Sequence, residues 1–201
     1  MTISIVVPVY KCAGSLKELH RRVEQVMVKL QVDFELILVN DGSPDNAWSV
    51  ITDLAAKDQR VVGLQLTRNF GQHYAITAGL QHSRGDWVVV MDGDLQDQPE
   101  EIEKLYQARQ TGTYDIVLAR RAQRSDGWIK QLSSKCFYEV LSYLTDTKQD
   151  ATIGNFGLYS RRVIATLNAM TEHLRYFPVL VRWTGFTTTT VNVAHAARIA
   201  G

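Results

Sequence analysis

A chain of 201 residues suits one domain with a sizeable core, and 45% hydrophobic against 21% charged residues is an ordinary globular composition. A formal net charge of +1 gives no overall attraction to nucleic acid, so no nucleic-acid partner is expected and any basic surface is local. Cys12 and Cys136 lack metal or redox spacing, no leader pattern opens the chain, and no apolar run approaches the ~20 residues of a membrane span. A reducing, cytoplasmic setting is the expectation. In chain order, Ile3 to Val9 reads as a buried strand, and Ser15-Leu16-Lys17-Glu18 as a capping box opening a helix to about Leu30. Phe34 to Val39 is a second strand, followed by the turn cluster Asn40 to Asp45; Asp45 or Asn46 caps a helix to about Asp58. Val61 to Thr67 is a third strand, Gln72 to Ser83 a helix, and Trp87 to Met91 a fourth strand. Pro99 and its acidic neighbours start a further helix, and Asp115 to Ala119 is another strand delivering Arg120, Arg121 and Arg124. Gly127 to Leu144 reads as helical, Thr145 to Asn155 as a loop, Phe156 to Tyr159 as a short strand, Arg161 to Met170 as a helix and Thr187 to Val193 as a strand.

Strands alternating with helices at this spacing predict an α/β fold with a doubly wound, mostly parallel sheet. The loops after the first four strands then share one edge, which brings Tyr10, Asp41, Arg68 and Asp92 to one rim. That edge is where open α/β sheets bind ligands. The fourth strand ends in Asp92-Gly93-Asp94, two carboxylates held one residue apart. Two such groups repel unless a positive charge sits by them, and a hard divalent cation with open positions for phosphate oxygens suits them. The alternative is a strand-end polar cap. The absence of Gly-x-Gly-x-x-Gly and of a Walker-type loop argues against a Rossmann dehydrogenase or a P-loop enzyme.

Several stretches, spread over nearly the whole chain, resemble the family 2 inverting glycosyltransferases of the GT-A fold, within them the polyprenyl-phosphate (dolichol-phosphate mannose synthase-like) branch. They are Val7-Pro8-Val9-Tyr10, Glu35 followed by Val39-Asn40-Asp41-Gly42-Ser43, Arg68-Asn69-Phe70-Gly71, Met91-Asp92-Gly93-Asp94-Leu95-Gln96, and His195 with Arg198. The resemblance implies a nucleotide pocket built from Pro8, Val9, Tyr10, Glu35, Asp41, Ser43 and Arg68, with Gly93 and Gln96 beside the metal or sugar. Asp92 and Asp94 would hold Mg²⁺ or Mn²⁺ and the diphosphate, and Arg198 would complete the site. The expected partners are a UDP- or GDP-hexose donor and a lipid-phosphate or saccharide acceptor.

Two departures stand out. Gly157 occupies a position where the branch carries arginine, so a phosphate contact is absent or supplied elsewhere. The family pattern also continues beyond Gly201, which suggests a truncated chain. The expected organisation is a single GT-A domain over 1–201, with a nucleotide-sugar half at 1–120 and an acceptor-side half at 121–201.

A metal clamp on the leaving diphosphate would act as Lewis acid and electrostatic stabiliser. A lipid-phosphate acceptor is already anionic and needs positioning rather than a base. A saccharide hydroxyl needs a carboxylate base, for which Asp150 is the candidate; its alternative reading is a solvated loop acid. Arg120 to Leu144 reads either as an amphipathic element on the inner face of a membrane or as a helix covering the sheet. A non-catalytic nucleotide-sugar-binding module is the third functional class.

Overall fold

A computed structural model describes residues 1–121, 152–172 and 176–196. The chain alternates β1 (Thr2–Val9), α1 (Leu16–Leu30), β2 (Asp33–Asn40), α2 (Ala47–Lys57), β3 (Val61–Gln65), α3 (Gln72–His82), β4 (Trp87–Val90) and α4 (Ile102–Gln110). There follow β5 (Ile116–Arg121), β6 (Ile153–Ser160), α5 (Arg161–Ala169), α6 (Phe177–Trp183) and β7 (Thr188–Val193). Among the described residues the strands form one seven-stranded sheet in the order β3-β2-β1-β4-β6-β5-β7. Its β1–β2, β2–β3, β1–β4 and β5–β7 pairings are parallel; β6 alone runs against both of its neighbours.

Alternating side chains divide the core between the two faces of the sheet. Ile3, Ile5 and Val7 pack on one side with Leu16, Leu19 and Val23 of α1, Ile51 of α2, and Ile102 and Leu105 of α4. Val6, Ile37, Val88 and Val90 pack on the other with Ala75, Ile76 and Leu80 of α3, Val163 and Ile164 of α5, and Phe177 and Leu180 of α6. Each such fully buried aliphatic contributes about 1.5–3 kcal/mol, so the sheet with both faces covered is a rigid platform for its carboxyl edge.

Several expectations need correction. Ser15 does not build a capping box. It is itself helical, at the end of a 3₁₀ turn over Ala13–Ser15, and no side-chain cap bond forms. Its hydroxyl lies 2.6 Å from Gly93 O and 2.8 Å from Cys12 O, while Glu18 pairs with Arg21. Tertiary contact with the acidic loop outcompetes the local cap.

The second helix is capped by the carboxylate of Asp45, which accepts from Ala47 N at 3.2 Å; Asn46 makes no cap bond. The loop expected through Asn155 gives way to strand at Ile153, because Ile153 pairs with Arg120. The short helix α6 was not expected. Its seven residues start with a proline in the first turn, and it is held by burial of Phe177, Val179, Leu180 and Val181 rather than by length. The helix expected over Gly127 to Leu144 lies outside the described residues, as do Arg124, Asp150 and Arg198.

Candidate active site

The carboxyl ends of β1, β2 and β4 and the start of α3 enclose a cavity of about 250 Å³ lined by Pro8, Val9, Tyr10, Cys12, Asp41, Asn69, Gly71, Gln72, Asp92, Gly93 and Asp94. The loops around it are tied to one another. Lys11 N–H donates to Ser43 Oγ at 2.8 Å and Ala13 N–H to Asp45 Oδ2 at 3.0 Å, fastening the loop after β1 to the loop after β2. Asp41, 2% exposed, accepts from Phe70 N at 2.8 Å and from Gly71 N at 2.9 Å. Its carboxylate thus fastens the loop after β3. Glycine at position 71 suits the sharp entry into α3, where φ is +99°.

The acidic pair sits in a loop closed by its own side chains. Gln96 N–H donates to Asp94 Oδ1 at 3.2 Å, and Asp92 N–H to Asp97 Oδ2 at 3.2 Å. The Gln72 side-chain amide donates to Asp92 Oδ1. Gly93 allows the close approach: a β-carbon there would lie 3.2 Å from Cys12 Sγ and from Val7 Cγ1. Burial pushes the Asp92 carboxyl up to about 7, reinforced by the charges of Asp97 and Asp94 and opposed by Arg121 and the Gln72 amide. Burial also raises Asp97, against the pull of Arg121.

The donor set fits an ion of one type. Among the described residues no group of three or more His, Cys, Asp and Glu gathers into a metal cage. Two hard carboxylates at an open cavity, short of positive charge, suit an octahedral Mg²⁺ or Mn²⁺ that keeps positions for water and phosphate oxygens.

Seven residues singled out from sequence therefore meet at the cavity: Pro8, Val9, Tyr10, Asp41, Asp92, Gly93 and Asp94. Ser43 stands behind it, holding the Lys11 amide. Gln96 is placed by backbone bonds and is not among the lining residues. Arg68 lies exposed over the Phe70 ring, 4.2 Å from its centroid, and does not line the cavity either.

Glu35 is elsewhere. It sits near the amino end of β2, where Oε1 accepts from Ser4 Oγ and Arg84 N, both at 2.6 Å. Its position five residues before Asn40 puts it at the opposite edge of the sheet, which accounts for its absence from the pocket. Cys12, Asn69, Gly71 and Gln72 also line the cavity without standing out as site candidates in the sequence, and Asp97 bonds the Asp92 amide. For Asp97 a signal existed: three aspartates fall within residues 92–97, and no Lys or Arg occurs between Trp87 and Glu103. Basic partners had to come from other elements.

Sheet order, covered faces and a carboxylate-bearing carboxyl edge define a GT-A α/β fold. The chain belongs to glycosyl transferase family 2, whose family model matches residues 4–168. A prophage bactoprenol glucosyl transferase homolog of Escherichia coli (strain K12) is 37% identical over 202 residues, covering 100% of this chain and 66% of that protein. An undecaprenyl-phosphate 4-deoxy-4-formamido-L-arabinose transferase of Proteus mirabilis (strain HI4320) is 35% identical over 204 residues, covering 99% of this chain and 61% of that protein. The chain thus spans less than two thirds of the length of these relatives. The structure of a glucosyl-3-phosphoglycerate synthase from Mycobacterium tuberculosis with Mn²⁺, UDP-glucose and phosphoglyceric acid superposes with a TM-score of 0.73 at 19% identity, covering 98% of this chain and 71% of that one. A mannosyltransferase from Pyrobaculum calidifontis with GDP-Man and Mn²⁺ gives 0.65 at 17% identity, covering 99% and 58%.

Proposed function

We propose that this chain carries the donor-binding and catalytic part of a metal-dependent inverting glycosyltransferase. It moves a hexose from a UDP- or GDP-sugar to a polyprenyl phosphate at the cytoplasmic face of a membrane. The observation that carries the reading is the convergence of Asp92 and Asp94 with Pro8, Tyr10 and Asp41 on one cavity. The relatives named for bactoprenol and undecaprenyl phosphate support the acceptor, and the neighbours holding Mn²⁺ with UDP-glucose or GDP-Man support the donor and the ion.

In this reading Tyr10 and the Asp41 loop receive the nucleoside, and the acidic loop receives the diphosphate. A divalent cation on Asp92 and Asp94, when bound, supplies the positive charge that the departing diphosphate needs. Asp41 keeps the walls fixed through the Phe70 and Gly71 amides, so the donor meets a preformed cavity. An anionic acceptor requires orientation beside the sugar rather than deprotonation. Position 157 offers it no side chain: a β-carbon there would lie 2.8 Å from Tyr159 Oη and 3.0 Å from Val117 O. Among the described residues, Arg120 and Arg121 end β5 beside the start of β6, while Lys11 and Arg68 lie in the loops after β1 and β3. Among the described residues no helix is long and apolar enough to cross a membrane.

The test is thermal melting with UDP, GDP and their sugars, with and without Mn²⁺, on wild type and Asp94→Ala. Ligand at a hundred times its Kd stabilises the fold by about 2.7 kcal/mol. A rise in midpoint for one base, dependent on Mn²⁺ and absent in Asp94→Ala, is the expected result. No shift with any nucleotide would reduce the acidic pair to a strand-end cap.

A further inference from the structure

The Asp97 carboxylate is only 2% exposed, yet it does not line the cavity. Burying a charge is costly unless neighbours compensate it, so its partners identify what it holds. Three parts of the fold converge on it. Its Oδ2 accepts from Asp92 N–H at 3.2 Å, and its Oδ1 lies 3.4 Å from Arg121 Nη2 at the end of β5 and 3.6 Å from His195 Nδ1 beyond β7.

The backbone repeats the link. Asp97 and His195 form an isolated antiparallel bridge, and Ala196 N–H donates to Gln96 O at 3.0 Å. Between the aspartates, Leu95 is buried with φ +64°. That left-handed turn is unfavourable for a non-glycine residue and persists where the surroundings over-determine it. It folds Asp97 back onto the Asp92 amide.

We propose that Asp97 is a positioning residue that couples the acidic loop to the ends of β5 and β7. Through the Asp92 amide it keeps Asp92 and Asp94 arranged for a divalent cation; through Arg121 and His195 it passes the state of that loop to the opposite side of the edge. The inference rests on the reading of Asp92 and Asp94 as cation ligands. The Asp92 and Arg121 arms are long hydrogen bonds at 3.2 and 3.4 Å, and His195 Nδ1 lies 3.6 Å away; all three exceed the ~2.7–2.9 Å of a charge-assisted pair, so they have room to shorten when the loop is drawn in. Gly154 lets the Arg121 guanidinium lie close against β6, since a β-carbon there would sit 3.3 Å from Arg121 Nη2.

Two substitutions separate the arms. In Asp97→Asn the side-chain carbonyl still accepts from Asp92 N–H, while its NH₂ faces the Arg121 guanidinium; Asp97→Ala removes both arms. The readouts are the Mn²⁺ concentration that half-saturates the melting shift with UDP or GDP, and hydrogen exchange over 192–196 with and without Mn²⁺ plus nucleotide.

Wild type should show slower exchange at Ala196 on binding. Asp97→Asn should keep the wild-type Mn²⁺ half-saturation but lose that slowing, and Asp97→Ala should need about tenfold more Mn²⁺, the scale of an outer-shell partner of a metal ligand. If both variants melt lower but match wild type in half-saturation and in the exchange response, the coupling is overturned and Asp97 is only structural. If wild type itself shows no Mn²⁺-dependent shift, the cation reading fails and takes the coupling with it.

Discussion

Cys12 shows how a single side chain is shaped by the site. Its thiol forms part of the cavity wall, packed where a β-carbon on Gly93 would meet it. Burial pushes it up to about 11, with the charges of Asp45 and Asp94 adding to the rise. At pH 8 such a thiol is almost wholly protonated, and the thiolate is the nucleophile. Alkylation of Cys12 by iodoacetamide at pH 8, followed by peptide mass, should therefore run on the order of a hundredfold slower than in the unfolded chain. Equal rates would mean that the wall opens freely. Asp92 and Asp94 stood out in the sequence because a β-branched strand ended in them. Asp97 did not, because its significance lies in Arg121 and His195, which reach it from segments 24 or more residues away.

At the level of elements, the site depends on how the loops after β2 and β3 press together. Gly42, at φ +60°, carries this contact: a β-carbon would lie 2.5 Å from Arg68 C and from Asn69 N, both backbone atoms that cannot swing aside. Gly42→Ala combines this collision with left-handed strain and should cost about 3 kcal/mol in urea unfolding, with weakened nucleotide binding as the 68–71 loop moves off Asp41. A cost below 1 kcal/mol would show that the loops separate without penalty. Strands β1, β2 and β4 were legible as short, largely apolar and β-branched runs bounded by turn residues. The reversal of β6 was not. An antiparallel strand between β4 and β5 has the same buried pattern as a parallel one, and only its partners, Val90 with Gly157 and Leu118 with Gly157, set its direction.

For the molecule as a whole, ion pairs at the edge away from the site join the layers. Asp58 accepts from Arg60 and contacts His20 of α1, and Arg60 also reaches Glu24. The Arg60 guanidinium holds the Asp58 carboxyl far below its usual range. A depressed carboxylate stabilises the fold above its ordinary value of about 3.9 and loses that contribution as pH falls further. Asp58→Asn should therefore cost about 2 kcal/mol at pH 7, and its gap to wild type should shrink as pH falls from about 4 toward 2. Urea midpoints at the two ends of that range would check this; a constant gap would mean that the charge of Asp58 contributes nothing.

The layered α/β architecture, the shared edge of the first four strands and the acidic pair on it are legible in the order of the amino acids. These follow from local periodicity and turn chemistry, which each segment carries alone. Packing alone puts Glu35 at the opposite edge, gives the Ser15 hydroxyl to the acidic loop or its own turn rather than to a helix cap, and buries a third aspartate beside the pair. A polar side chain in a folded protein takes the partner that burial brings to it, and that partner is set by the packing of distant segments.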